Sequence, residues 1–464
     1  MTWIHPLAPE TRESADVLGG KGHGLVVLRR LGLPVPPGFV IGTRACRAFL
    51  RDGRFPDGLD AELAAAVRLL AATPADGGVP AVAVRSGAAV SMPGMLDTVL
   101  DVGLDADAAG RLHAAVREVL ASWHSPRATA YRELNGIPHD LGTAVVVQAM
   151  VFGDRDEHSG SGVAFSRDPN TGARAPFGDV LFGRRGEDVV SGRSSPRPLS
   201  ELAAREPAVA ERLVAALRRL ERHYRDACHV EFTFEAGVLW FLQVRPGGLT
   251  GRAAVRTAVD LADDRLIDRR TALRRISPRH LQAARTPRMD TGDGTDLLTR
   301  GRGACPGVAS GRIAVTADRA ARMAAGGRGP VILVRPTTSP LDMHGLAAAA
   351  GVATSLGGPT SHAAVVARAM GKPAVVDAAG LTVDTEADHV RIGGRVVPAG
   401  TLITIDGTGG EIALGEPGIT TGNAGVHLHR LLAWADEVSG DRSPRPDHER
   451  LSAAHARLRQ SPPP

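Results

Sequence analysis

Residues Gly357 to Arg368 read Gly-Gly-Pro-Thr-Ser-His-Ala-Ala-Val-Val-Ala-Arg, a stretch that leaves the backbone little choice. The glycines and proline make a turn, Thr360 and Ser361 are suited to capping a helix, His362 falls in its first turn, and the run beyond continues as helix. At such a start the unpaired backbone N–H groups and the positive dipole end disfavour an imidazolium and favour an anion close by. A histidine kept neutral there can attack phosphorus and then hold a phosphoryl group. The string taken alone is also compatible with a capped helix whose histidine only packs or hydrogen-bonds.

At 464 residues the chain is too long for one ordinary core, so two or three domains are expected. A hydrophobic content of 43% with moderate charge describes a globular chain. The sequence pI of about 9.7 accompanies a formal charge of only +5, carried by dispersed arginines rather than a basic block. That pattern argues against a dedicated nucleic-acid surface and suits an anionic small substrate such as a nucleotide. Cys46, Cys228 and Cys305 are few and far apart, which excludes a disulfide scaffold and a clustered zinc site. No basic segment followed by an apolar run opens the chain, and no stretch reaches membrane-span length, so a cytoplasmic protein without membrane partners is expected.

Further candidates lie along the chain. Leu18-Gly-Gly-Lys-Gly-His-Gly24 reads as a glycine loop before a helix, with Lys21 as a point charge for phosphate. Ala81 to Arg85 reads as a strand that delivers Arg85 into a small-residue loop holding Ser91 and Gly94, which can equally be a polyphosphate cradle or a surface turn. Thr143 to Met150 is an apolar strand containing Gln148, and Ser159-Gly-Ser-Gly is a second glycine loop. Glu187 and Asp188 can meet a ribose hydroxyl or a magnesium shell. Val230 to Arg245 alternates about Ala236-Gly237 as a hairpin, with Glu231, Gln243 and Arg245 expected on one face. A Pro, Gly and Asp-rich connector spans Thr286 to Gly303.

Gly19-Gly-Lys-Gly22, Val84-Arg-Ser-Gly-Ala88 with Ser91-Met-Pro-Gly-Met-Leu-Asp-Thr98, and Gly-Gly-x-Thr-Ser-His362 together resemble the pyruvate, phosphate dikinases among the phosphoenolpyruvate-utilising enzymes, and the resemblance runs through most of the chain. It implies an α+β ATP-grasp nucleotide-binding domain over 1–245, shortened, followed by a helical linker over 246–303 and a smaller α/β swivelling phosphohistidine domain over 304–420. A helix and a mobile tail are expected over 421–464, with no C-terminal (β/α)8 barrel. By resemblance His362 carries the phosphoryl group beside Thr360, a site of regulation in some dikinases. Lys21, Arg85, Gln148, Glu187, Gln243 and Arg245 serve ATP, and Glu231 with Gln243 serves Mg2+. The implied activity is phosphorylation of His362 by Mg-ATP, with inorganic phosphate as a possible co-substrate and an acceptor outside the chain, either pyruvate on a separate barrel protein or a small molecule.

Departures from the family pattern keep a second reading open, a nucleotide-binding regulatory or vestigial protein without turnover. His229 stands where an aspartate is usual, Gly248-Leu249 replaces a basic pair, Gly183-Arg184-Arg185 replaces Asn-Ala-Gln, and Pro359 replaces a methionine. An imidazole in place of a hard oxygen ligand weakens a magnesium site.

Overall fold

The computed structural model describes residues 2–72, 81–90, 92, 94–104, 108–186, 196–292, 294–327, 329–421 and 425–460. Ser91, Glu187 and Asp188 lie outside them. The chain divides into two compact units, one of Met1–Gly162, Phe182–Gly186 and Val230–Arg245, the other of Val163–Leu181, Glu187–His229 and Pro246–Pro464. Residues 163–181 and 187–229, expected with the first domain, thus group with the C-terminal part.

The first unit opens with β1 (Ile4–Pro6), α1 (Ala15–Arg30), β2 (Gly38–Ile41), α2 (Thr43–Asp52) and α3 (Leu59–Ala71). Then come β3 (Ala81–Ala88), β4 (Thr98–Gly103), α4 (Ala108–Ala121), α5 (Pro126–Asn135), β5 (Thr143–Ala149) and β6 (Gly160–Phe165). The first five strands form an antiparallel sheet of order β1-β2-β5-β3-β4. Period-two alternation sends Phe39, Ile41, Val82, Val84, Val145 and Val147 to one face, where they join Phe49, Leu63, Leu112 and Val116 in a buried core. The opposite face carries Ala83, Arg85 and Gly87 of β3 beside Gln148, Val146 and Ala144 of β5.

Helix α1 lies on that opposite face, and its glycines are required by how closely it approaches. A Cβ on Gly19 would stand 1.5 Å from the Gly87 carbonyl oxygen, and one on Gly22 2.9 Å from a Val40 methyl. The glycine run expected as a loop is therefore helical, with a single break at Gly19 (φ 66, ψ 166). Likewise the expected second glycine loop is part of strand β6.

Onward the chain forms β7 (Phe177–Phe182), β8 (Arg197–Pro198), α6 (Ser200–Arg205), the arginine-faced α7 (Pro207–Tyr224), and the hairpin of β9 (Cys228–Glu235) and β10 (Val238–Pro246). Ala236 (φ 47) and Gly237 (φ 75) make its two-residue turn.

The remaining chain of the second unit begins with α8 (Gly251–Asp263), α9 (Arg269–Arg275) and α10 (Pro278–Ala284). The expected connector is built into sheets instead, as β11 (Pro287–Met289), β12 (Leu297–Arg300) and β13 (Arg302–Cys305). Then follow β14 (Val308–Ala314), α11 (Ala317–Ala325), β15 (Val331–Arg335), α12 (Met343–Ala348), β16 (Gly351–Thr354), α13 (His362–Met370) and β17 (Ala374–Val376). A small antiparallel sheet of β18 (Thr382–Asp384), β19 (His389–Ile392) and β20 (Arg395–Pro398) precedes β21 (Leu402–Asp406), β22 (Glu411–Leu414) and β23 (Ile419–Thr421).

The main sheet has order β12-β22-β21-β14-β15-β16-β17-β13, parallel from β14 through β17. Its core includes Ile313, Ile332, Val334, Ala353, Val375, Ile403, Ile405 and Ile412. The chain from 426 was expected as one helix and a mobile tail, but it forms α14 (Val426–Ser439) and α15 (Asp447–Gln460). Their apolar stripes, including Leu431, Leu432, Leu451, Ala454 and Leu458, pack with those of α8, α9 and α10.

Candidate functional site

In the first unit a charge cluster gathers on the α1 face of the sheet. Gly87 lets Lys21 lie against β3, since a Cβ on Gly87 would be 3.1 Å from the Lys21 Cβ. Arg85, two residues earlier on the same strand face, donates from Nη2 to Glu231 Oε2 at 2.9 Å and from Nη1 to the Leu242 carbonyl at 3.1 Å. Burial, followed by the Arg85 charge, pushes the Lys21 ammonium well below the usual lysine value; Glu231 opposes this and Arg245 adds to it. Burial likewise lowers Arg245. Among the described residues Lys21 thus feels two further cations, Arg85 and Arg245, and one carboxylate, Glu231, a balance that a polyphosphate would suit.

Gln148 and Gln243 do not join this cluster through any described contact. Gln148 shares the Arg85 face of the sheet but is buried and donates from Nε2 to the Pro36 carbonyl at 3.2 Å. In the hairpin, Val230, Phe232 and Phe234 of β9 are buried, as are Leu239, Phe241 and Gln243 of β10, whereas Glu231 and Leu242 keep partial exposure. Gln243 is thus more enclosed than Glu231 on the adjoining strand. The Gln243 Nε2 is buried with no partner among the described residues.

No group of three or more His, Cys, Asp or Glu side chains suited to a metal occurs among the described residues. Glu231 is a carboxylate of the kind that holds Mg2+ when phosphate oxygens and water complete the octahedron. The donor set fits magnesium arriving with a nucleotide and not a metal held by protein alone.

In the second unit the segment after β15 and the segment after β16 meet at the carboxyl ends of adjacent parallel strands, a placement that gathers loops into a site. His362 is the first residue of α13. Its Nδ1 lies 3.1 Å from Thr338 Oγ1, while its Nε2 is buried with no partner among the described residues. Burial pushes the ring down to about 4, with the Asp342 carboxylate pulling the other way. Asp342 closes a capping box with Ser339, accepting from the Ser339 backbone N–H at 2.8 Å and from its hydroxyl at 3.1 Å, and so fixes the turn that presents Thr338.

Thr360 turns away from the ring. Its N–H and hydroxyl both donate to Asp179 Oδ2, at 3.0 and 2.6 Å, and Arg302 Nη2 donates to Asp179 Oδ1 at 3.0 Å. Asp179 is fully buried, and a Cβ on Gly358 would lie 2.4 Å from its Oδ2. The second glycine of the Gly-Gly-Pro-Thr-Ser-His string is thus explained by this carboxylate.

Sequence reasoning missed Thr338, Asp342, Asp179 and Arg302. Two signals were available: Ser339-Pro-Leu-Asp342 has capping-box spacing directly after an apolar strand, and Asp179 is a lone carboxylate inside the apolar run Phe177 to Phe182.

Residues 50–204 match the pyruvate phosphate dikinase AMP/ATP-binding domain, and residues 327–410 match the mobile domain of PEP-utilising enzymes. The chain is 35% identical over 518 residues to pyruvate, phosphate dikinase 2 of Oryza sativa subsp. japonica, an alignment covering 91% of this chain and 58% of that protein. Against the pyruvate, phosphate dikinase of Rhizobium meliloti (strain 1021) the identity is 34% over 540 residues, with 94% and 60% covered. For that of Rickettsia prowazekii (strain Madrid E) it is 34% over 519 residues, with 91% and 59% covered. The chain therefore spans 58% to 60% of the length of these relatives. No helix among the described residues is long and apolar enough to cross a membrane. With two domain models matched and this identity sustained over nine tenths of its length, the chain carries a domain similar to the AMP/ATP-binding domain of the pyruvate, phosphate dikinases and one similar to the mobile domain of PEP-utilising enzymes, and it resembles those dikinases throughout.

Proposed function

We propose that the chain is an ATP-dependent phosphotransferase of dikinase type, in which an ATP-grasp domain donates a phosphoryl or pyrophosphoryl group to His362 on a swivelling domain. The observation that carries this reading is the His362 ring, neutral, tied at Nδ1 to Thr338 and bare at a buried Nε2, at the start of a helix. The lone pair on Nε2 attacks phosphorus while the bond to the leaving nucleotide oxygen breaks, and the nucleotide departs with that electron pair. Lys21, Arg85 and Arg245 neutralise the polyphosphate, and such positioning and charge supply most of the catalysis in a loose phosphoryl transition state. Gln148, Glu187 and Gln243 are assigned to the nucleotide from the family pattern. Glu231 would hold Mg2+, with Gln243 as the family's further contact, and the ion when bound neutralises charge on the phosphate oxygens. Arg85 must release Glu231 for this to happen, and the incoming phosphates give Arg85 a replacement partner.

The acceptor in this reading is pyruvate on a separate barrel protein or a small molecule, with inorganic phosphate taking the terminal group. Incubation with Mg2+ and ATP labelled at the β or γ position, with and without phosphate, should place acid-labile, base-stable label on the wild type and none on His362→Ala. If the wild type takes up no label under either condition, the proposal fails. The Arg85–Glu231 ion pair and His229 favour a second reading, nucleotide binding without turnover. Its signature is tight ATP binding with no labelled histidine.

A further inference from the structure

Two hydroxyl groups lie beside His362, and the reading above gives neither a role in handling the phosphoryl group. Thr338, 4% exposed, faces Nδ1. Ser361, 3% exposed, is the N-cap of α13 in extended conformation (φ -65, ψ 165), yet its side chain makes no capping hydrogen bond. Its Oγ is buried without a partner among the described residues, as is the neighbouring Nε2 of His362. A serine in this position ordinarily accepts from the N–H two or three residues on, and leaving a buried hydroxyl unpaired costs free energy. Here the hydroxyl, the first N–H groups of a nine-residue helix and a bare ring nitrogen are all left open at one helix end.

We propose that these hydroxyls divide the handling of the phosphoryl group, Thr338 fixing the ring so that Nε2 is the nitrogen phosphorylated, and Ser361 donating to the phosphoryl oxygens once the group is in place. The inference rests on His362 being the carrier.

The tautomer follows from what each alternative buries. If Thr338 donated to Nδ1, Nε2 would carry a buried N–H with no acceptor, a rarer and costlier defect than a lone pair without a donor. So Nδ1–H donates to Thr338 Oγ1, and Nε2 keeps its lone pair. When Nε2 forms its bond to phosphorus, the bond to the leaving oxygen breaks and the leaving group takes the electron pair. The ring gains positive charge, Nδ1 retains its proton, and Thr338 still accepts it. No proton need move. The phosphoryl oxygens then lie over the helix N-terminus, where Ser361 Oγ–H and the helix N–H groups can donate to them. Thr338 is a positioning residue and Ser361 a binding residue.

The test uses potassium phosphoramidate as phosphoryl donor, which bypasses ATP, so its outcome is separate from that of the ATP-labelling experiment. Nitrogen-15 spectra of histidine-labelled protein at neutral pH should show His362 protonated at Nδ1. Phosphoramidate should then give one phosphorus-31 signal, from the Nε2 isomer. Thr338→Val should shift the ring toward the Nε2–H tautomer and slow phosphorylation about tenfold, and Thr338→Ser should restore both, which simple damage to the fold would not permit. Ser361→Ala should leave the tautomer unchanged and shorten the lifetime of the phosphohistidine about tenfold. A wild-type ring protonated at Nε2 overturns the Thr338 assignment without recourse to any variant. An unaltered phosphohistidine lifetime in a folded Ser361→Ala protein overturns the Ser361 assignment.

Discussion

At the scale of single residues, two perturbed groups yield measurable consequences. His362 sits at about 4 in the folded chain, below the value near 6.5 of an unfolded histidine. Between those values the unfolded state binds more protons, so the stability held in the neutral ring is complete above about pH 6.5 and drains away as pH falls toward 4. The amount is about 3 kcal/mol. Urea midpoints at neutral and at acid pH should therefore differ more for the wild type than for His362→Ala, and equal pH slopes would remove the buried neutral histidine from the account. Lys21 carries the opposite lesson. Burial and Arg85 depress it, and a polyphosphate would raise it, so nucleotide binding should draw in protons and weaken as pH rises through the depressed value. Calorimetry in two buffers of different ionisation enthalpy measures that uptake, and Lys21→Met should abolish it. Lys21, Arg85 and His362 were legible because each is a chemically active side chain set among glycines or hydroxyls. Thr338 and Asp179 were not, because each becomes meaningful only when chain 24 or 181 residues away is folded against it.

At the scale of elements, the glycine run of α1 shows why composition misleads. Glycine lowers helix propensity, so Leu18 to Gly24 reads as a loop. In the folded unit the same glycines let a helix press onto β3, and tertiary contact overrides propensity. Gly19→Ala should be severe, because it combines a left-handed φ of 66 with a Cβ placed 1.5 Å from a backbone oxygen that cannot step aside. Strain and overpacking together should cost roughly 3 kcal/mol or more and displace Lys21. Gly20→Ala meets its nearest atom at 3.3 Å and has ordinary φ, so it should cost within about 1 kcal/mol. Thermal unfolding of the two variants, with ATP affinity alongside, distinguishes a glycine needed for close approach from one needed for phosphate access. If the phosphate role dominates, Gly20→Ala will lose affinity while keeping its melting temperature. The hairpin of β9 and β10 was legible as a hairpin, since Ala236-Gly237 divides two alternating runs.

At the scale of the whole chain, the parallel strands with their glycine turns were readable from 304 to 410, while the ends of that domain were not. Short strands such as β11, β12 and β13 have too few residues for periodicity to register, and only pairing with β23, β22 and β17 defines them. The C-terminal segment differs, because its signal was present. Leu451, Ala454 and Leu458 follow three- and four-residue spacing, a helical stripe obscured by the Ser, Arg and Pro around it. In the structure all three are buried, Arg450 pairs with Asp436, Arg285 pairs with Asp447, and His455 Nε2 lies 2.9 Å from the Leu273 carbonyl. Burial of two leucines and an alanine contributes about 3–5 kcal/mol once a compact unfolded state is allowed for, far more than an exposed ion pair such as Arg285–Asp447 adds. Removing residues 441–464 should therefore lower the unfolding free energy of the second unit by about that amount and bare the apolar surface of α9 and α14, which dye binding would report. Leu451→Asp should do much of the same with the chain otherwise intact. Because this helical cluster excludes α13, chemical phosphorylation of His362 in the truncated protein should persist wherever the unit remains folded. A truncated protein with unchanged denaturant stability would mean that α15 only rests on α8, α9, α10 and α14 and is not part of their core.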